Sequence, residues 1–171
     1  SIDVNRKEIK VSSVEGVQVD ANGTAYLRLV QFTSRSGDEF SKAMQELRDK
    51  GMKNLIVDLR DNSGGLLSAA IDITQLFISD GQLVVSIKGR KKEDIRKFTA
   101  SSVKGYPDVP LIVLMNEGSA SASEIVGGAL SVLGRARIVG EKSFGKGSVQ
   151  TIFPVVDQSG LRLTTAMYFL P

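Results

Sequence analysis

The sequence contains no histidine and no cysteine among its 171 residues. Without them the chain cannot supply a Ser-His-Asp triad, a Cys-His dyad or the usual Cys/His zinc cluster. A serine nucleophile would therefore need lysine, a carboxylate or a group from another chain as its base. We expect no cofactor and no metal. The lack of cysteine indicates no compartment, because reducing and oxidising environments both tolerate it.

Long hydrophobic runs and a strong charge imbalance are missing too. No apolar run could span a bilayer and no signal peptide is visible, so we expect a chain that is soluble as given. The net charge is +3, and its only basic cluster, Lys88, Arg90, Lys91 and Lys92, fits a solvated loop better than a nucleic-acid site. With 42% hydrophobic residues, the chain suits one globular domain.

The hydrophobic spacing predicts a mixed α/β fold. Predicted strands cover Glu8–Val19, Ala25–Phe32, Asn54–Leu59, Leu83–Ile87, Leu111–Met115, Ala136–Val139, Ser148–Val155 and Leu161–Phe169. One predicted helix follows a capping box at Ser36–Glu39. Two more cover Leu66–Phe77 and Ile125–Leu133. Hairpin signals at Asn22-Gly23 and Asp157–Gly160 flank this alternation, which favours a mixed sheet with helices around it. The polar stretch Lys88–Pro110 is long for a loop, and we expect it at the rim of the site.

Two loops follow predicted strands and carry small or polar residues, Asn62–Gly65 and Asn116–Ser121. Ligands of such sheets collect where loops leave the strand ends. Small residues allow backbone N–H groups to approach a substrate closely, and a helix N-terminus favours negative charge. Ser119, Ser121 and Ser123 could each cap the following helix or act as a nucleophile, and their spacing does not select one.

Lys146 lies between two glycines, which indicates a backbone that turns or is closely approached there. It is either a solvated surface charge or a desolvated base able to take a serine proton. Residues 140–146 also match the first seven positions of a phosphate-binding loop. However, Gly147 replaces the required Ser or Thr, and a strand pattern follows.

Other catalytic motifs fit poorly. Ser143-x-x-Lys146 and Ser101-x-x-Lys104 have the S-x-x-K spacing of penicillin-binding proteins, but neither pattern is helical and no K-T-G segment follows. The G-x-S-x-G motif of α/β-hydrolases is absent around Ser121.

Several residues near the two loops have a structural and a catalytic interpretation. For Asp58, Arg60 and Asp61 we expect an ion-pair network that fixes the loop and not a role in acid–base catalysis. Glu124 falls in the first turn of its helix, where negative charge is stabilising in itself. Gly64-Gly65 could donate an N–H group to an oxyanion or could simply permit a turn.

Three segments taken together, Asp58–Gly65, Gly118–Ile125 and Gly145–Gln150, closely resemble the C-terminal processing peptidases, also called tail-specific proteases. The similarity spans roughly Tyr26 to Phe169. It implies a ClpP/crotonase-like core and a serine peptidase with a Ser-Lys dyad. The resemblance implies that Ser121 is the nucleophile, Lys146 the general base and Gln150 the residue that orients the lysine. It also implies an oxyanion hole formed by the N–H groups of Ala122 and of one glycine of the Gly64-Gly65 pair, for which we favour Gly65.

The resemblance further implies protein or peptide substrates with apolar C-termini, an extracytoplasmic location in bacteria or the thylakoid lumen, and peripheral membrane association and homo-oligomer formation of the full-length protein. In this family a PDZ domain normally precedes the core. We therefore expect residues 1–171 to be a single serine-peptidase core, with residues 1–25 as an N-terminal strand segment and candidate linker from a removed PDZ domain. The alternative is a crotonase-like module that binds peptides or acyl groups without hydrolysis.

Overall fold

A computed structural model describes residues 11–91, 93–101, 105–157 and 159–171. The strands are β1 (Val14–Val19), β2 (Thr24–Leu29), β3 (Asn54–Asp58), β4 (Leu83–Gly89), β5 (Ile95–Thr99), β6 (Leu111–Met115), β7 (Arg137–Gly140), β8 (Ser148–Pro154) and β9 (Gly160–Phe169). The helices are α1 (Ser36–Asp49), α2 (Leu67–Thr74) and α3 (Ala122–Val132). None of the described helices is long and apolar enough to cross a membrane.

The larger sheet has five strands in the order β1-β2-β3-β6-β7. β1 and β2 form the predicted antiparallel hairpin, whereas β2, β3, β6 and β7 run parallel. Because parallel strands end at one edge of a sheet, the loops after β3 and β6 leave it side by side.

One face of this sheet is covered by the helices. On this face, buried apolar residues of β2, β3 and β6 lie side by side in two rows: Ala25, Leu55 and Leu111 in one, and Leu27, Val57 and Val113 in the next. The buried sides of all three helices belong to the same core. A side chain at Gly127 of α3 would overlap the Met115 sulfur, so α3 packs closely against β6. This contact fixes the N-terminus of α3 beside the end of β6.

A second, antiparallel sheet has the order β5-β4-β9-β8. The mixed α/β fold is confirmed, but the strands form two sheets where we predicted one. Part of the predicted Lys88–Pro110 loop is in fact strand β5, which pairs with β4. β5 could not be predicted from the sequence, because its residues are almost all exposed and therefore show no apolar periodicity.

The predicted capping box at the start of α1 is wrong. Ser36 is already helical, and its hydroxyl accepts a hydrogen bond from the Thr33 N–H (2.8 Å). Glu39 accepts instead from the N–H (2.7 Å) and the hydroxyl (2.6 Å) of Ser13. A tertiary contact therefore takes the carboxylate that the local motif would have used.

Several predictions fall partly on residues outside the described ranges. They are the beginning of the first strand at Glu8, Lys92 of the basic cluster, Lys104 of the second S-x-x-K spacing and Gln158 of the last turn. Within the described ranges, the first strand begins at Val14. The ClpP/crotonase-like assignment and the single-domain prediction for residues 1–171 stay predictions.

Candidate active site

Asn62 joins the two loops that leave β3 and β6, and its side chain is fully buried. Its backbone carbonyl accepts hydrogen bonds from the Ala120 N–H (3.1 Å) and the Ser123 hydroxyl (2.8 Å). Its side-chain amide donates to the Leu29 carbonyl (2.7 Å), and its side-chain oxygen accepts from the Gly64 N–H (2.9 Å). The backbone carbonyl of Asn62 thus joins the two loops, and its side chain fixes the first loop to the sheet.

The structure separates the three candidate serines. Ser119 and Ser123 are 0% exposed, and their hydroxyls donate to the carbonyls of Leu59 and Asn62 at 2.8 Å each. Ser121 is half-buried and borders two pockets. Only Ser121 of the three could therefore meet a substrate without breaking a buried hydrogen bond.

Ser121 has an unusual backbone conformation, with φ +53° and ψ −110°. Among the described residues, only Asp61 and Ser121 have positive φ without being glycine. Such conformations cost about 1–3 kcal/mol and persist only where the surroundings hold them. Here the turn places the serine side chain at the N-terminus of α3, facing the pockets.

Gly64 and Gly65 lie directly opposite this turn and have φ of +97° and +147°. A Cβ on Gly64 would lie 2.6 Å from the Ala120 oxygen and 2.9 Å from the Ser121 Cβ. A Cβ on Gly65 would overlap the Phe32 carbonyl oxygen. Neither position can hold a larger residue without moving the serine turn or the strand end.

The Gly65 N–H is oriented for an external acceptor. Gly65 and Phe32 form a parallel bridge, in which the hydrogen bonds are made by the neighbouring Gly64 carbonyl and Leu66 N–H. In that pattern the N–H of Gly65 itself points away from Phe32. Within the described ranges, neither this N–H nor that of Ala122 donates a hydrogen bond. Both groups predicted for the oxyanion hole are thus available.

Glu124 connects the serine turn to the lysine loop. Its Oε2 accepts from the N–H groups of Ser121 and Lys146, each at 2.8 Å. Its Oε1 accepts from the Ser143 hydroxyl (2.7 Å) and the Gly145 N–H (2.6 Å). Burial by itself would raise the pKa of Glu124, but these four donors outweigh burial, and the pKa lies below its usual range. We predicted only that the charge of Glu124 stabilises the start of its helix. The structure shows that Glu124 also holds the serine turn and the lysine loop together, and we call these four hydrogen bonds the clamp.

Two pockets meet at Ser121. The apolar pocket, of about 230 Å³, is lined by Ser121, Glu124, Ile125, Gly145, Lys146, Gly147, Tyr168 and Leu170. The polar pocket, of about 130 Å³, is lined by Gly65, Ser121, Lys146, Ser148, Gln150, Arg162 and Tyr168. Four of the five predicted site residues line the polar pocket, and the fifth, Ala122, follows Ser121 in the chain. No described residue of the Lys88–Pro110 stretch lines either pocket, so it gives no support to the rim expected there.

Lys146 is half-buried and lines both pockets, whereas Gln150 is exposed and lines the polar one. No hydrogen bond joins the Lys146 amine to Ser121 or to Gln150 in the part of the chain that the structure describes. The fold brings these side chains to one pocket, and their predicted roles as base and orienting group stay predictions.

Asp58 and Arg60 form the predicted ion pair, with Nη2 and Oδ2 separated by 2.6 Å. The Tyr26 hydroxyl also donates to Asp58 (2.7 Å). Burial opposes the charge of Asp58, but the hydrogen bonds from Arg60 and Tyr26 lower its pKa to about 2. Asp61 instead contacts Arg28, at 3.7 Å. None of these groups lines either pocket, which supports the structural interpretation over acid–base work.

The rival motifs do not form. A strand, β8, follows residues 140–147, so no helix N-terminus is present to hold a phosphate. Ser143 lies in a loop and donates to Glu124, which leaves it outside any S-x-x-K helix. Within the described ranges, no group of three or more Asp and Glu side chains is placed to hold a metal ion.

Sequence reasoning missed Asn62, Arg162 and Tyr168. Asn62 had a detectable signal, because Asn two residues before Gly is typical of a turn in which the side chain accepts a backbone N–H. Arg162 and Tyr168 had none. They reach the site because β9 pairs with β8, which precedes it as an antiparallel neighbour, and no chemical motif marks which residues of β9 face the pocket.

Comparisons with known proteins show the family of this chain. A model of "Peptidase family S41" matches residues 23–171. The chain is 45% identical over 174 residues to a carboxy-terminal-processing protease of Bartonella bacilliformis, covering 99% of this chain and 39% of that protein. It is 40% identical over 153 residues to carboxyl-terminal-processing peptidase 1, chloroplastic, of Arabidopsis thaliana, covering 88% of this chain and 31% of that protein.

A solved structure, the photosystem II D1 C-terminal processing protease, superposes with a TM-score of 0.79 at 30% identity. The match covers 96% of this chain and 45% of that one. The chain thus spans about a third to two fifths of the length of these curated relatives. With a family model matching most of its residues, the chain belongs to peptidase family S41.

Proposed function

We propose that this chain is the catalytic core of a serine endopeptidase that cleaves proteins near their C-terminus. One observation carries the proposal: the strained Ser121 turn faces a pocket that also contains Lys146, with two unused N–H groups beside it. A serine that only caps a helix needs neither the strain nor the lysine.

In the proposed reaction, the neutral Lys146 amine takes the proton of the Ser121 hydroxyl as Oγ attacks the scissile carbonyl. The N–H groups of Gly65 and Ala122 stabilise the oxyanion of the tetrahedral intermediate. When the C–N bond breaks, the lysine ammonium returns the proton to the leaving amine and an acyl-enzyme forms. The neutral lysine then takes a proton from a water molecule as that water attacks the ester carbonyl, and it gives the proton to Ser121 Oγ as the C–Oγ bond breaks and the acid product leaves. Gln150 orients the lysine by accepting a hydrogen bond from it.

The pockets support a peptide substrate. β8 is the edge strand of its sheet, so its outer N–H and C=O groups can pair with an extended chain. The apolar pocket contains Ile125 and Leu170 and has room for one apolar side chain next to the scissile bond. These features support substrates with apolar C-terminal segments.

The test is cleavage of an unstructured, apolar-tailed peptide, followed by mass spectrometry from pH 6 to pH 10. Ser121→Ala and Lys146→Ala should each abolish cleavage. Ser131→Ala and Lys142→Ala, at exposed positions that line neither pocket, are matched controls that should retain it. The rate should rise with pH, because lysine is a base only when neutral.

Two results would contradict the proposal in different ways. Cleavage that survives Ser121→Ala would identify another nucleophile. Absence of cleavage, with or without an added PDZ domain, would favour the module that binds peptides or acyl groups without hydrolysis.

We also propose that the full-length protein works outside the cytoplasm or in a chloroplast compartment. The support is that the matched relatives are bacterial and chloroplast processing enzymes. A fusion of the full-length protein to alkaline phosphatase, which is active only outside the cytoplasm, tests the bacterial case. Fractionation and sedimentation of the same protein test its membrane association and oligomer formation.

A further inference from the structure

The apolar and the polar pocket share Ser121, Lys146 and Tyr168 as lining residues. These three side chains therefore lie where the pockets meet, which is where the lysine amine has to approach the serine hydroxyl. Ser121 and Lys146 have roles in the proposed reaction, whereas Tyr168 has none. Its position beside both reacting groups indicates that its hydroxyl takes part in their arrangement.

The ring of Tyr168 has a fixed place. The residue lies in β9, where its backbone N–H donates to the Gly147 carbonyl (2.7 Å) and it pairs with Ile87 of β4. The half-buried ring packs against the hydrophobic core. Within the described ranges its hydroxyl makes no hydrogen bond, and burial alone raises its pKa above the ordinary 10.0. A rigid strand thus holds a neutral, unused hydroxyl at the pockets.

A lysine that acts as a base needs acceptors for its own N–H groups. The neutral amine carries two N–H groups and one lone pair, and the lone pair has to face the Ser121 hydroxyl. Both N–H groups must then point to other acceptors. In the proposed reaction Gln150 accepts one of these hydrogen bonds. The other N–H needs an acceptor that also lies close to Ser121.

Tyr168 meets this requirement better than the other side-chain acceptors of the pockets. Each carboxylate oxygen of Glu124 already accepts two hydrogen bonds in the clamp. The Ser148 hydroxyl lines the polar pocket but not the apolar one, so it lies to one side of the meeting point. The phenol oxygen of Tyr168 can accept a hydrogen bond while its O–H remains a donor. It also lies on a fixed ring, whereas Gln150 is exposed.

We propose that the Tyr168 hydroxyl accepts the second hydrogen bond of the Lys146 amine and thereby directs its lone pair at Ser121. Tyr168 is thus a positioning residue, which acts through the lysine and not on the substrate. This inference rests on the proposed peptidase function. The same hydroxyl accepts from the ammonium after proton transfer, so the lysine keeps its place until it protonates the leaving amine.

The experiment measures how fast Ser121 reacts with a small fluorophosphonate between pH 6 and pH 10, followed by mass spectrometry. Oγ forms a bond to phosphorus and displaces fluoride while Lys146 takes the proton, so the reaction needs the base but no bound peptide. Tyr168→Phe keeps the ring and should lower the limiting rate at high pH about tenfold, because the amine is no longer oriented. Tyr106→Phe removes a hydroxyl that lines neither pocket and should react like the parent chain.

The pH dependence separates positioning from a merely structural role. The charged and titratable groups that line the pockets around the Lys146 amine are Glu124 of α3 and Arg162 and Tyr168 of β9. Tyr168→Phe removes only the last of them. A hydroxyl acceptor stabilises an ammonium more than a neutral amine, so its loss should move the rising limb of the profile to lower pH by about half a unit. The position of this limb does not depend on the fraction of folded protein.

Peptide cleavage gives a third readout, in which Tyr168→Phe should lower kcat about tenfold and change KM less than about twofold. A limb that stays in place would overturn the inference, even with a lower rate, because a structural defect alone would then explain the loss. Rates equal to those of the parent would overturn it as well, and the same two effects in Ser148→Ala would then assign the acceptor to Ser148. Both results leave the proposed reaction intact. A parent chain whose Ser121 does not react would reject the proposed function, and the inference with it.

Discussion

Glu124→Gln is the substitution that best tests how the site is assembled. Glutamine keeps the shape of the side chain but has one acceptor oxygen in place of two charged ones. All four groups that now point at Glu124 are donors, and three of them are backbone N–H groups that cannot reverse. The only partner able to accept a hydrogen bond in return is the Ser143 hydroxyl. The best arrangement of glutamine therefore places its NH₂ group toward Ser143 and leaves the Gly145 N–H without an acceptor.

The expected cost follows from this count. Hydrogen bonds to a charged group contribute about 1.5–3 kcal/mol each, against about 0.5–1.5 for neutral ones. The bonds to Ser121, Ser143 and Lys146 are each weakened by up to about 1 kcal/mol, and the Gly145 N–H loses its acceptor at the partly solvated end of the side chain. Together these effects should lower the free energy of unfolding by about 3 kcal/mol. Peptidase activity should fall further than stability explains, because the N–H groups of Ser121 and Lys146 share the oxygen that remains but loses its charge.

The loss should depend on pH. The pKa of Glu124 is lower in the folded protein than its ordinary value of 4.5. Its contribution is therefore complete above about pH 4.5 and disappears as the pH falls through the folded-state pKa. The difference between the parent chain and Glu124→Gln should be full at pH 7 and shrink progressively below pH 4.5.

Urea unfolding followed by circular dichroism at pH 7, 5, 4 and 3 measures this difference. Glu117→Gln is the matched control, since Glu117 is exposed in the turn between β6 and α3, and it should change stability by less than about 0.5 kcal/mol. If Glu124→Gln is as stable as the parent at pH 7, or if its deficit stays constant down to pH 3, the clamp does not work as argued.

Three further predictions concern the surroundings of the clamp. Ser121→Gly should be inactive yet about 1 kcal/mol more stable than the equally inactive Ser121→Ala, because glycine relieves the positive φ; equal thermal stability would mean that the turn is not strained. Ser123→Ala should unfold about 1–2 kcal/mol more easily, because the Asn62 carbonyl loses a buried donor, while keeping measurable activity; inactivity without unfolding would contradict its structural role. Asp58→Asn should lose about 2 kcal/mol at pH 7, and the parent should lose the same contribution between about pH 4 and pH 2 as Asp58, with a pKa of about 2, becomes protonated beside Arg60; calorimetric unfolding that is flat over this range would refute the ion-pair argument.

Most of the fold could be predicted from local patterns. The alternating residues of β1 and β2 and the buried runs of β3 and β6 have clear periods, and the structure places strands at each. β5 could not be predicted, because it is stabilised by pairing with β4 and has no buried face of its own. The capping box at Ser36 failed for a similar reason, because Glu39 is taken by Ser13, which is distant in the sequence.

The site, like the fold, has a part that could be predicted from the sequence and a part that could not. The loops after β3 and β6 could be predicted to meet, since both follow strands of one parallel sheet. The choice of Ser121 over its neighbours could not come from spacing, because it depends on Ser119 and Ser123 reaching carbonyls about 60 residues away in the chain. Arg162 and Tyr168 depend on the register of β8 against β9, which strands without a buried face specify weakly.

In the site, the backbone is held in place by hydrogen bonds, whereas the Lys146 side chain is not held against Ser121. Asn62 and Glu124 fix the backbone of the serine turn and of the lysine loop, so the N–H groups of Gly65 and Ala122 keep their positions without a substrate. The Lys146 amine, in contrast, makes no hydrogen bond to Ser121 among the described residues, although its own backbone N–H is held by Glu124. In the reaction proposed above, the first chemical step thus requires the movement of one flexible side chain, not of a loop. A peptide that enters the polar pocket excludes water around that amine, and a lysine without water gains most from approaching the serine hydroxyl.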